Sequence, residues 1–251
     1  MALSYARRQL ARGAGNLIMD VLAIYAASKP WALRPNIVLV EGTSDEALFK
    51  RADELSINAG RVLLGDDICV VAAGRNDRGG TYGVVRELIT LRSMVPIILD
   101  KNGRPAYRVI GLVDNDLAGR RIIKDFIRLD RGAVEVHDIV AVRPVTPKFA
   151  ALDPSGRQRE YDLANLPYRA LDWEIEDALS PRLLQLFDQT HPGMITLRRR
   201  AGNKTHHELT TTGKTALHRL VRREAILEDL ANIVQIVRMI RSILGLQAPA
   251  A

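Results

Sequence analysis

Apolar runs alternate with amphipathic stretches over roughly the first 145 residues of the chain. Four apolar runs, rich in β-branched residues, end abruptly at polar or glycine positions: 36–40, 67–73, 107–113 and 134–142. Between them, apolar residues recur at helical spacing over 44–55, 84–94 and 119–129. Strands that alternate with helices in this way predict an α/β fold with a central parallel sheet flanked by helices.

Further patterns lie on both sides of this region. Apolar residues at helical spacing from Leu17 to Tyr25 predict an amphipathic N-terminal helix. Residues 147–169 lose periodicity and contain several prolines, so we expect a loop there. A second loop is expected at the basic stretch 198–204, followed by one long amphipathic helix over 215–244.

These patterns divide the chain into three parts. We expect an N-terminal helical segment over 1–35, the α/β domain over 36–180, and a basic helical C-terminal region over 181–251. The apolar stripe of the long last helix makes a homodimer the expected oligomer. The apolar run near the N-terminus is shorter than the ~20 residues that span a bilayer, so no membrane association is expected.

Charge and cysteine content narrow the classes of function. The 251 residues include 36 Lys+Arg against 29 Asp+Glu, a formal charge of +7, and arginine supplies most of the positive charge. Guanidinium groups suit bidentate phosphate contacts and surface ion pairs equally well, so the positive charge favours a nucleic-acid partner only modestly over a solvated surface. The single cysteine excludes an intramolecular disulfide framework and a cysteine-rich zinc module, and it is typical of a cytoplasmic protein.

Two acidic turns follow two of the predicted strands. Glu41 comes directly after the first strand, and Asp45 follows one helical turn later. Asp114, Asn115 and Asp116 come after the third strand. Functional groups of parallel sheets collect beyond the carboxyl ends of the strands. Four carboxylates converging there would repel one another unless a cation lay between them, which indicates bound Mg²⁺ or Mn²⁺.

The two acidic turns resemble the motifs of a known family. Val40 to Glu46, followed by a strand, a glycine turn and then Val113 to Asp116, is similar to the TOPRIM domain. Topoisomerases, primases and the nuclease domains of overcoming-lysogenization-defect (OLD) proteins share this domain. The Glu-Gly-x-Ser-Asp form is closer to the OLD-like nucleases. The resemblance is clear over about 36–145 and implies a Rossmann-like TOPRIM sheet.

Two later segments extend the resemblance. Residues 171–177 resemble the acidic segment in which OLD-like nucleases place a glutamate that completes the second metal site, and Glu176 matches it better than Glu174. Residues 212–215 resemble the Gly-Lys that supplies a catalytic lysine, here Lys214. A lysine beside metal ions can stabilise charge on the scissile phosphate.

The resemblance implies a nuclease that cleaves phosphodiester bonds with two metal ions, Mg²⁺ or Mn²⁺. The implied metal ligands are Glu41, Asp45, Asp114, Asp116 and Glu176. Glu41 and Lys214 are the implied catalytic residues. Which carboxylate holds which ion stays open at this point.

The resemblance also implies a setting for the enzyme. Standalone members of this kind resemble effectors of antiphage defence systems that an ATPase partner holds inactive. Gly213-Lys214-Thr215 imitates the end of a P-loop, but Glu208 stands where that motif needs a glycine, so ATPase activity is expected from a partner. The residues leave open a ribonuclease acting on tRNA or structured RNA, and a non-catalytic nucleic-acid-binding assembly subunit.

Polar residues of the C-terminal region supply further expectations. The expected nucleic-acid-binding residues are Arg198, Arg199, Arg200 and Lys204. The adjacent His206 and His207 are expected to be solvated or to face phosphate. Cys69 lies within a predicted strand and is expected to be an inert core thiol.

Overall fold

Residues 20–74 and 79–247 are described by the structure, a computed structural model of the chain. A parallel sheet lies at its centre, formed by β1 (Asn36–Val40), β2 (Ile68–Ala72), β3 (Arg108–Val113) and β4 (Ile139–Ala141). The strand order is β2-β1-β3-β4. The predicted α/β architecture is confirmed, and each strand lies within one of the predicted apolar runs.

Helices cover both faces of this sheet. The helices of the described residues are α1 (Val21–Ala27), α2 (Thr43–Asn58), α3 (Gly80–Met94), α4 (Leu117–Leu129), α5 (Pro154–Asn165), α6 (Pro181–Thr190), α7 (Thr211–Glu224) and α8 (Ala231–Ile243). The predicted N-terminal helix is present from Val21, and its expected start before residue 20 lies outside the described residues. Among those residues, none of the helices is long and apolar enough to cross a membrane.

The sheet separates two apolar cores. Because successive side chains of a strand point to opposite faces, Val38 and Val40 of β1 lie in one core and Ile37 and Leu39 in the other. The first core also takes side chains from α2, α6, α7 and α8, and the second from α1, α3 and α4. Burial of each valine or leucine stabilises the fold by about 1.5–3 kcal/mol, so the sheet holds the residues at its edge in fixed positions.

The loop expected over 147–169 contains α5. Pro154 occupies the first turn of this helix, where its missing N–H costs nothing, and the Asp153 carboxylate accepts a hydrogen bond from Gly156 N at 2.8 Å. The prediction of a loop is wrong because a proline breaks a helix only in its interior and is accommodated in the first turn. Pro154 in fact begins the helix.

The basic stretch expected to be a loop is a β-hairpin. β5 (Ile195–Ala201) pairs antiparallel with β6 (Lys204–Leu209), and Gly202, at a φ of +55°, lies in the turn between them. Most of β5 is exposed, so its residues lack the apolar alternation that predicts a strand. The sequence predicts a helical C-terminal region, but the structure shows that this region also contains a β-hairpin.

The single helix expected over 215–244 is two helices, α7 and α8. The backbone leaves the helical conformation at Ala225 and Ile226, and Asp229 opens the new turn by accepting a hydrogen bond from Ile226 N at 3.0 Å. The hydroxyl of Ser180 and the guanidinium of Arg182 also bind the Asp229 carboxylate. Burial raises the pKa of Asp229, but these hydrogen bonds outweigh it and lower the pKa to about 2.

The apolar stripe of these helices packs inside the chain. Leu217 of α7 and Ile233 of α8 are fully buried in the core shared with α2. The stripe therefore gives no support to the expected homodimer, which stays a prediction.

Candidate active site

The first two acidic turns meet at one edge of the sheet. β1 lies next to β3 and runs parallel to it, so the chain leaves both strands at the same edge. There, Glu41 Oε1 accepts a hydrogen bond from the backbone N–H of Asp114 at 3.0 Å. The structure therefore brings together two residues that are 73 positions apart in the sequence.

A glycine turn that follows β2 lies against Glu41. The N–H of Gly80 donates to the carbonyl oxygen of Glu41 at 3.0 Å, and a Cβ on Gly79 would lie 2.8 Å from that oxygen. Glycine is required for this close approach. Asp45, in the first turn of α2, accepts a hydrogen bond from Gly42 N at 3.0 Å. Two of the expected ligands are thus held by backbone contacts.

The second acidic turn leads directly into α4. Asp116 is the N-cap of this helix, and its Oδ1 accepts a hydrogen bond from Gly119 N at 2.7 Å. A Cβ on Gly119 would lie only 1.9 Å from the carbonyl oxygen of Asp114. Gly119 therefore sets how closely the start of α4 approaches the turn.

Replacing Gly119 by alanine is expected to displace this turn. The clash with the Asp114 carbonyl should lower the free energy of unfolding by about 1–3 kcal/mol, measured by urea denaturation. Gly132→Ala is the matched control, because a Cβ there would lie an ordinary 3.4 Å from the Asp130 carboxylate. Equal stability of the two variants would contradict the tight contact.

The acidic segment around residue 175 docks onto the second turn. Asn115 and Trp173 form an isolated antiparallel bridge, with Asn115 N donating to Trp173 O at 2.8 Å. Ile175 N donates to Asp114 Oδ1 at 2.9 Å. Glu174 and the buried Glu176 flank Ile175, so this docking brings both glutamates to the sheet edge.

Lys214 approaches the two glutamates from α7. Its Nζ lies 2.8 Å from Glu174 Oε2 and 4.0 Å from Glu176 Oε2. His218 lies one helical turn further along α7, and its Nε2 is 3.2 Å from Glu176 Oε1. The sequence pattern favours Glu176 over Glu174, but the structure places both beside Lys214; His218 was not predicted as a member of the site. The spacing of four residues from Lys214 on a helix is the signal that could have found His218.

The two adjacent histidines are not solvated. His206 is buried, and its Nδ1 lies 2.7 Å from Asp177 Oδ2. His207 N donates to the other oxygen of Asp177 at 2.8 Å. The hydrogen bond to Asp177 raises the pKa of His206. These contacts tie β6 to the segment that carries Glu174 and Glu176, so the expectation of solvated or phosphate-facing histidines was wrong.

The carboxylates at the sheet edge oppose one another electrostatically. Burial raises the pKa of Glu41 to about 7, with the charges of Asp45 and Asp116 acting in the same direction. Burial and the charge of Glu176 raise the pKa of Asp45 to about 6. The pKa of Asp114 also lies well above its usual value, through burial and then the charges of Glu41 and Glu176. All five predicted ligands thus lie within one electrostatic cluster.

Lys214 and His218 partly neutralise this cluster. Burial raises the pKa of Glu176, but its hydrogen bond with His218 and the charge of Lys214 outweigh burial and leave the pKa lowered. Burial lowers the pKa of Lys214, and the carboxylates of Glu176 and Glu174 more than reverse this. Because its pKa is lowered while theirs are raised, Glu176 stays ionised more readily than Glu41, Asp45 and Asp114.

The donor set fits a hard divalent cation in its chemistry. One oxygen each of Glu41, Asp45, Asp114 and Asp116 accepts a backbone N–H, which fixes the carboxylate. The second oxygen of Asp45 also accepts a hydrogen bond from Ser44 Oγ, at 3.3 Å. Glu176 Oε2 is buried and has no hydrogen-bond partner among the described residues. An unsatisfied buried carboxylate oxygen beside several others is what a cation would stabilise.

The carboxylates of the cluster do not converge closely enough to coordinate one metal ion as they stand. Within residues 20–74 and 79–247, no group of three or more His, Cys, Asp or Glu side chains is arranged so that it could hold a metal ion. Metal binding at this cluster therefore requires side-chain movement toward the ion.

The expected nucleic-acid-binding residues lie on the hairpin and have partners. Arg198 pairs with Asp188 at 2.8 Å, Arg199 with Asp172 at 3.5 Å, and Arg200 Nε donates to Gly202 O at 3.0 Å. Lys204 Nζ lies 5.7 Å from the centre of the Trp173 ring. The three arginines remain exposed enough to reach a ligand, but two of them already pair with carboxylates.

Comparison with known proteins adds no further identification. No family model matches the chain, and no match is found among curated proteins or solved structures. Function is therefore argued from the site itself.

Proposed function

We propose that the protein is a metal-dependent nuclease with a TOPRIM-like site. The observation that carries the proposal is the convergence of Glu41, Asp114 and Glu176, from three separate segments, on the edge where Lys214 also lies. A sheet needs no such cluster for stability, because burial of like charges destabilises the fold. The resemblance to the OLD-like nucleases names the same residues.

The metal ligands proposed are Glu41, Asp45, Asp114, Asp116 and Glu176. Bound Mg²⁺ or Mn²⁺ would activate water and stabilise the leaving oxygen of a phosphodiester. The backbone N–H groups that bind these carboxylates orient them before the substrate arrives. Lys214 would offset the charge that develops on the scissile phosphate, since its ammonium group lies beside the cluster and stays protonated at neutral pH.

His218 and Asp177 would act as positioning residues in this site. His218 binds Glu176, and Asp177 accepts a hydrogen bond from Glu174 N at 3.0 Å while it binds His206. Together they fix the acidic segment between the sheet and the hairpin. The backbone of this segment is thereby held in place, so that the Glu176 side chain faces the cluster.

The biological setting is also proposed. The OLD-like resemblance supports an effector nuclease of an antiphage defence system that works with an ATPase partner, with a homodimer as the expected form. The cluster does not distinguish DNA from RNA, so tRNA or structured RNA belongs among the substrates to test.

The test is to incubate the purified protein with plasmid DNA, single-stranded DNA and tRNA in Mg²⁺, Mn²⁺ or EDTA. We expect metal-dependent cleavage of at least one substrate class, abolished in Glu41→Ala. Glu228→Ala is the control, because Glu228 is exposed. Metal-dependent cleavage that persists in Glu41→Ala would contradict the role assigned to Glu41. Binding without cleavage, with or without an ATPase partner, would indicate the non-catalytic assembly subunit.

A further inference from the structure

A basic pocket lies beside the acidic cluster and adjoins the hairpin, because Asp172 pairs both with Arg120 of the pocket and with Arg199 of the hairpin. It has a volume of about 450 Å³ and opens between α4 and the end of β4. Its cationic lining residues are Arg120, Arg121, Lys124 and Arg143, and Glu135 is the acidic one. The lining thus has four positive charges against one negative, although Asp172 and Asp162, outside the lining, pair with Arg120 and Arg143.

The pocket and the acidic cluster share a turn. Asn115 lines the pocket and stands between Asp114 and Asp116. Ala141, at the end of β4, forms part of its wall, and β4 is the neighbour of β3. The pocket therefore opens at the sheet edge where the carboxylates converge.

Two of the four cations are held in place by the protein. Arg120 donates to Asn115 O at 2.7 Å and to Asp172 Oδ1 at 2.8 Å. Arg143 pairs with Glu135 at 2.6 Å and lies over the ring of Tyr161. These contacts give the pocket a fixed wall.

The other two cations, Arg121 and Lys124, are not neutralised by a close carboxylate. Arg121 is exposed, and its contact with Asp125 is long, at 3.9 Å. Lys124 is exposed and has neither an ion pair nor a hydrogen bond with any of the described residues. By contrast, Arg198 and Arg199 of the hairpin have carboxylate partners. Arg121 and Lys124 therefore have charge available for a ligand, as do Arg200 and Lys204 of the hairpin, which also lack a carboxylate partner among the described residues.

We propose that this pocket binds the phosphodiester backbone of the nucleic acid beside the cleaved bond. The inference rests on the proposed function and identifies where the strand is held. Lys214 lies on α7, which packs on one face of the sheet, and Arg121 and Lys124 lie on α4, which packs on the other, with the carboxylates at the sheet edge between the two helices. A strand crossing the sheet edge would meet cations on both sides of the acidic cluster, which offsets the repulsion between that cluster and phosphate.

The experiment measures binding in EDTA, where no cleavage occurs. Fluorescein-labelled single-stranded DNA, duplex DNA and an RNA hairpin are titrated with the protein by anisotropy over a range of KCl concentrations. Arg121→Glu/Lys124→Glu is compared with Arg128→Glu/Arg131→Glu. The control pair reverses two exposed charges at the far end of the same helix and beyond it, so both variants carry the same net charge.

Loss of two phosphate contacts should weaken binding at least about tenfold and lower the salt slope by about 1.4 for a single strand or about 1.8 for a duplex. The control pair should bind like the wild type, and thermal unfolding checks that both variants fold. Equal weakening by the two pairs would overturn the proposal, since it would show only a general effect of charge. AMP binding of the same variants is measured by calorimetry. Weakened AMP binding with unchanged oligonucleotide binding would also overturn the proposal and would indicate a free-nucleotide site.

The outcome is independent of the cleavage assay. Selective weakening in EDTA supports the pocket even if no cleavage is ever detected. Metal-dependent cleavage with unchanged binding by Arg121→Glu/Lys124→Glu would keep the nuclease and discard the pocket.

Discussion

Replacing Lys214 by methionine is expected to lower the rate of metal-dependent cleavage by about 10²–10³-fold, the usual effect of removing one group that stabilises charge in a transition state. The fold should persist, because methionine keeps the unbranched stem that packs on α7. Mn²⁺ affinity, measured by calorimetry, should not fall. The lysine is a cation that competes with the metal for Glu176.

Lys50→Met is the matched control for this variant. Lys50 also pairs with a glutamate, Glu46, but it lies on the exposed side of α2. Its replacement should leave cleavage within about twofold, because exposed ion pairs contribute little. Two outcomes would contradict the role given to Lys214: full activity in Lys214→Met, or a loss of cleavage that is matched by a loss of Mn²⁺ binding.

The sheet and the first part of the site were predictable because their signals are local. β1 and β3 are short strands, apolar after their first residues Asn36 and Arg108, and both end at acidic residues; a parallel sheet places such ends on one edge. The order of the strands was not predictable from these runs. The direct contact between Glu41 and Asp114 depends on β1 lying next to β3 instead of beside β2 alone.

The C-terminal half of the site was harder to predict because its shape depends on tertiary contacts. The carboxylate of Asp177 binds both His206 and His207, and that pairing joins two segments far apart in the sequence. Neither helical nor strand periodicity in the sequence indicates this contact. The interruption of the predicted long helix at Ala225 also depends on a tertiary contact. Asp229, just after the interruption, is bound by Ser180 and Arg182 at the start of α6.

The metal-free protein is expected to become less stable as the pH rises from 5.5 to 7.5. The folded-state pKa is about 7 for Glu41 and about 6 for Asp45, above the ordinary values of 4.5 and 3.8. The folded state therefore binds more protons than the unfolded state in this window, and stability is lost as the pH rises through the folded pKa values. The lowered pKa values of Glu176 and Asp177 act only below about pH 4.5 and do not offset this.

The loss should amount to about 1–3 kcal/mol, measured by urea denaturation in EDTA at each pH. Saturating Mn²⁺ should stabilise the protein more at pH 7.5 than at pH 5.5, because the ion competes with protons for the same carboxylates. Glu41→Gln should be more stable than the wild type at pH 7.5 in EDTA and should respond less to Mn²⁺, whereas Glu228→Gln, at an exposed site, should match the wild type. Stability that rises with pH across this window, with no response to Mn²⁺, would show that the carboxylates are not a shared cation site. The clustering of Glu41, Asp45 and Asp114 would then need another cause.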